Sequence, residues 1–74
     1  MKTSEIQKYE IVIYWDNDDK IFVAEAPELA GCAAHGKTQI DAVKKVNEAI
    51  ELWLETAREF NDEIPEPRQR KLAA

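Results

Sequence analysis

The chain has two glycines, one cysteine and one histidine among 74 residues, and no uninterrupted apolar run long enough to cross a bilayer. Each scarcity excludes something. A lone Cys32 closes no internal disulfide, and with His35 it makes only a C-x-x-H pair, two ligands where a closed zinc site takes four. One histidine leaves no room for His-rich catalytic sets, and there is no Gly-rich phosphate loop, Ser-centred elbow or HExxH. Basic residues are also short: 10 Lys and Arg stand against 15 Asp and Glu, a formal net charge of −5. That balance argues against gripping nucleic acid through its phosphates and fits a basic partner or plain solubility. Met1 to Glu5 leads into no apolar segment, so the expected setting is the cytoplasm, without membrane contact. No cofactor, metal or catalytic residue is expected.

What is present is a compact alternation of elements. Tyr9 to Trp15 is rich in β-branched and aromatic residues and free of Gly and Pro, which predicts a first strand. Asp16 to Lys20 has the polarity and length of a hairpin loop, and its three aspartates are read as a turn, since a calcium loop of the EF-hand kind needs a longer ligand series. Ile21 to Ala26 is a second strand stopped by Pro27, and Cys32 to His35 a short third one whose two end side chains fall on opposite faces. Gly31 and Gly36 are placed where a Cβ is expected to be resisted by the backbone angles.

A long helix follows. Thr38 is its N-cap, with Asp41 three residues on as a near variant of the capping box. Ile40, Val43, Val46, Ile50, Leu54, Ala57 and Phe60, with Ala49 and Trp53, form one broad apolar stripe, and Asn61-Asp62 with Pro65 and Pro67 ends the helix. About 22 residues reach roughly 33 Å, whereas six or seven strand residues span about 20–23 Å. The helix therefore overhangs the sheet, and Trp53 and Phe60 need cover from the tail or from another chain. One helix covers one face of a sheet. In the first strand Tyr9, Ile11, Ile13 and Trp15 share a face, yet Val12 and Tyr14 on the other are apolar too. We expect the second face, or the exposed edge, to meet another subunit.

On the outer helix face Asp41, Glu48, Glu51, Glu55 and Glu59 cluster, with Glu51/Glu55 and Glu55/Glu59 as like-charge pairs four residues apart. Leu52 points out beside them. This ridge fits an ordinary solvated face and also a docking surface for a basic partner. Glu48, Glu51, Leu52, Glu55 and Glu59 are the candidate contact residues.

The ordered set Tyr9, Pro27-Glu28-Leu29, Gly31-Cys32, Gly36 and Thr38, Ala42, Glu48-Ala49-Ile50 and Ile64-Pro65-Glu66-Pro67 resembles the HicB antitoxin family. The resemblance implies an α+β fold, β-β-β-α-(β), a small antiparallel sheet with one long helix related to a pared-down ribonuclease H. Length and patterning give a single domain over residues 1–74, with a flexible N-terminus to residue 6 and a basic, weakly patterned tail from residue 68 that is either a short fourth strand or frayed. The resemblance implies, too, a non-enzymatic antitoxin that masks a small basic HicA-type RNA-cleaving toxin, while the apolar second sheet face leads us to expect a homodimer or higher homo-oligomer. Many such proteins carry a C-terminal DNA-binding segment. The seven residues after Pro67 cannot form one, so direct nucleic-acid binding is not expected. The alternative is a stand-alone oligomeric domain of this kind, regulatory or ligand-binding, with no toxin.

Overall fold

A computed structural model describes residues 6–67. The tail from Arg68, expected as a fourth strand or frayed, lies outside the described residues, as do residues 1–5. Three strands form one antiparallel sheet in the order β1-β2-β3, with β1 Val12–Asp16, β2 Ile21–Glu25 and β3 Ala33–Gly36, and a single long helix, α1 Gln39–Glu59, lies on one face. This is the expected α+β arrangement of a small sheet and one long helix.

The hairpin forms because Asp16 organises its own turn. Its Oδ1 accepts the backbone N–H of Asp18 (2.9 Å) and of Asp19 (3.2 Å), and Lys20 closes the loop in the left-handed region at φ 57°. Of the three aspartates, Asp16 is the one whose carboxylate holds the turn, and Asp18 and Asp19 bond to it through their backbone N–H groups. After β2 the chain makes two consecutive turns, Leu29 N–H to Ala26 C=O and Cys32 N–H to Leu29 C=O, sealed by Ala26 N–H to Cys32 C=O at 2.9 Å. Gly31 sits at φ +74°, which glycine adopts without strain.

Gly36 is different. Its φ is ordinary, but a Cβ there would lie 2.5 Å from the Ala42 backbone nitrogen and 2.7 Å from Asp41 Cβ. Space, not angle, requires this glycine, which corrects the sequence-based reason. The first turn of α1 rests directly on the end of β3. Gly36→Ala should therefore cost about 1–3 kcal/mol by overpacking, measured as a lowered urea midpoint with an unchanged slope; a midpoint equal to wild type would contradict the contact.

Both helix ends are closed as the sequence suggests. Thr38 Oγ1 accepts the Asp41 N–H at 3.1 Å. At the other end Asn61 takes φ 56°, its N–H bonds to Arg58 C=O, and the Asp62 N–H reaches Ala57 C=O at 2.8 Å. That pair of bonds is a Schellman cap with Asn61 in the place usually held by glycine.

Antiparallel partners share a face, so the register assigns the two sides. Ile13, Ala24 and Ala34 form one row under the helix, Trp15, Phe22 and Gly36 the next. Ala24, Ala42 and Val46 are fully buried between sheet and helix, with Ile11, Phe22 and Ala34 packed against them. These small residues draw α1 over β2 and β3 and leave β1 largely uncovered. Val12, Ile13, Tyr14 and Trp15 are all exposed, at 37–48%. Phe22 meets the Trp15 ring edge-on with centroids 5.0 Å apart, and the Trp15 indole N–H donates to Asn17 Oδ1 at 3.4 Å. The alternation expected along Tyr9 to Trp15 is thus broken: β1 starts at Val12, and Tyr9 leaves the sheet for the core.

That second part of the core covers the overhanging half of the helix. Ile50 and Leu54 pack with Ile6, Tyr9, Ala26, Leu29 and Cys32. Cover comes from the turns after β2 and the segment before β1. The Tyr9 hydroxyl donates to Pro65 C=O at 2.6 Å, tying the chain beyond α1 to the segment that precedes β1. Two members of the expected apolar stripe take no part, Ile40 at 73% and Phe60 at 67% exposed, because they lie at the two ends of the helix beyond the contact.

Candidate partner-binding surface

The outer face of α1 places the candidate residues unequally. At about 100° per residue, Glu48, Glu55 and Glu59 fall within about 40° of one another on one side of Leu52. All four are exposed, Leu52 at 64%. Glu51 stands further round the helix and is half-buried. From Glu48 to Glu59 the ridge runs about 16 Å along the axis. Asp41, also exposed, complements the positive end of the helix dipole, and Arg58 in the last turn the negative end.

On the other side of Leu52 the structure adds something the sequence did not reveal. A groove of about 500 Å³ lies between the second half of α1 and the Gly31–Ala33 segment. Gly31, Ala33, Ala49 and Ala57 are small enough to leave the space, Leu52 and Trp53 are its bulky lining, and Asp62 and Glu63 bring charge to it. Among the described residues no lysine or arginine lines it. The Trp53 indole N–H donates to Ala30 C=O at 2.9 Å, which fixes the ring in place. Asp62 and Glu63 reach the groove because the Asn61 cap turns the chain back on leaving the helix. An Asn followed by two acids at the helix end was the available sequence signal.

Cys32 and His35, three positions apart in sequence, part company. Cys32 is buried in the core under α1, while His35 is exposed on the open face of the sheet, opposite Val23. Burial pushes the Cys32 thiol above its ordinary range. Below that range the thiol is protonated in folded and unfolded chains alike and stability does not respond. As pH rises through it the unfolded thiol ionises first, so stability falls, and Cys32→Ala should remove that slope. Iodoacetamide should alkylate the native thiol several-fold more slowly than the urea-unfolded one. Equal rates would place Cys32 outside the core.

The open face carries Val12, Glu25 and Ala33 in one row and Tyr14, Val23 and His35 in the next. Tyr14 OH donates to Glu25 Oε1 at 3.1 Å, and that bond, first among the causes, raises the Tyr14 pKa. Among the described residues no three His, Cys, Asp or Glu side chains are grouped to hold a metal ion, and no helix is long and apolar enough to cross a membrane.

Residues 9–73 match the family described as HicB_like antitoxin of bacterial toxin-antitoxin system. Among curated proteins, a UPF0150 protein of Thermoplasma acidophilum is 36% identical over 58 residues, covering 78% of this chain and 83% of that protein. A UPF0150 protein of Synechocystis is 42% identical over 57 residues, 77% of each chain. One from Archaeoglobus fulgidus is 38% identical over 55 residues, 74% of this chain and 78% of its own. No solved structure matches the chain significantly.

Proposed function

The chain belongs to the HicB-like antitoxin family, and from that membership we propose that it neutralises a small, basic, RNA-cleaving toxin of the HicA type by binding it directly in the cytoplasm. The observation that carries this reading is the ridge of Glu48, Glu55 and Glu59 beside exposed Leu52, on a chain of net charge −5. A basic RNA binder must present cations to phosphates, and an acidic rigid helix competes for the same cations. Masking of this kind is stoichiometric and needs no catalytic group on the antitoxin. The test is titration of this chain into such a toxin with RNA cleavage as readout. Cleavage should fall to background at a fixed molar ratio. Undiminished cleavage with excess chain would refute the reading and leave the stand-alone module.

The protein also acts, in this proposal, as a homodimer or higher homo-oligomer that shares the uncovered β1 strand and the open sheet face. Support comes from four consecutive exposed apolar residues, Val12 to Trp15, with no Lys, Pro or Gly among them to guard the edge. The acidic ridge stays free, since α1 lies across the other face. Sedimentation should give an oligomer for the wild type and a monomer for the Val12→Glu/Tyr14→Glu double variant. A monomeric wild type would contradict this assembly.

A further inference from the structure

We propose that the groove beside Leu52 seats a bulky apolar side chain of the basic partner, held between flanking lysines or arginines. The inference rests on the antitoxin reading for the partner's identity, but its chemistry stands on the groove. At about 500 Å³ the space lies within the range of sites that bury a ligand of roughly drug size. Its described lining combines apolar Leu52, Trp53, Ala49 and Ala57 with Asp62 and Glu63, and among the described residues no cation joins them. An occupant must therefore be apolar at its centre and positive beside it.

Two features select a polypeptide segment over a small amine. The acidic surface continues past the lip formed by Leu52 to Glu48, Glu55 and Glu59, about 16 Å along the helix, further than one small cation reaches. The groove also runs along the start of β3, which is an edge strand among the described residues, and a sheet edge is where an extended chain can add by backbone hydrogen bonds. After Glu63 the described chain turns from the groove, as Ile64 packs onto the core and Pro65 is tied to Tyr9. Trp53, pinned by Ala30, is a wall already in position, so little ordering is required on binding.

Trp53 is also the reporter. In a Trp15→Phe background it is the sole tryptophan. Two blocked Lys/Arg-rich peptides are titrated at low salt, one with a central leucine pair and one with serines in those places. The leucine peptide should shift Trp53 emission saturably and bind about tenfold or more tighter than the serine peptide, as expected for burial of one such side chain. Thr56→Phe, an exposed helix position that lines the groove, should erase the difference with the far-UV spectrum unchanged. Equal affinity for the two peptides, a silent Trp53, or no binding of either would overturn the proposal. The outcomes separate from those of the antitoxin reading. Toxin neutralised as well by Thr56→Phe as by wild type removes the groove alone. Peptide discrimination without any effect on a toxin removes the toxin alone.

Discussion

Ile50→Ala is expected to leave the protein largely unfolded at physiological temperature. Ile50 has no exposed surface and sits where the helix, the turns after β2 and the segment before β1 converge, against Leu29, Leu54 and Tyr9. Truncation removes the transfer energy of the lost carbons and leaves a cavity, together about 2–5 kcal/mol. A single core in a chain of this length supplies only about 3–5 kcal/mol. One side chain therefore spans most of the margin. The contrast is Leu52→Ala, two residues on and exposed, for which a change within about 0.5 kcal/mol is expected. Urea titrations followed by far-UV circular dichroism measure both. A loss under about 1 kcal/mol at Ile50 would mean that the second core is not what holds the overhanging helix.

The second large effect concerns the partner. Glu48→Lys, Glu55→Lys and Glu59→Lys combined should weaken the toxin complex about ten- to hundredfold at low salt, because each exposed pair contributes up to about 1 kcal/mol. Most of the loss should appear in the association rate, and it should shrink as salt screens the field. The fold is not at risk, since all three side chains face water. Reversing Glu51 alone should do less, because it is half-buried and set off from the other three. Unchanged affinity with an unchanged salt slope would show that the ridge is a solvated helix face and nothing more.

The parts of this fold legible in the sequence are those governed by local chemistry. Thr38 caps the helix start, Asp16 bonds its own turn, Pro27 follows the end of β2, and the stripe through Val46, Ile50 and Leu54 is the face that α1 buries. What stayed hidden depends on where one element lies upon another. Ala24, Ala34, Gly36 and Ala42 set the helix over β2 and β3, yet alanine and glycine give no strong periodic signal. Tyr9 reads as the start of a strand because its neighbours are β-formers, and it is instead a core residue anchored to Pro65, 56 positions away. Ile40 and Phe60 fit the helical period but stay exposed at the two ends of the helix. Leu52 was visible as an outward apolar residue. The groove beside it was not, since its lining comes from three stretches of chain and its space from side chains that are small. Asp62 and Glu63 joined the surface only through the geometry of the Asn61 cap.

The most direct test of the central claim is recovery of this chain from its native cells at low salt, with every bound protein identified and expressed alone. The account predicts one small basic protein in a fixed ratio, which cleaves RNA and arrests growth by itself and does neither in the complex. Recovery of this chain only with copies of itself would contradict the antitoxin function and leave an oligomeric domain with another role.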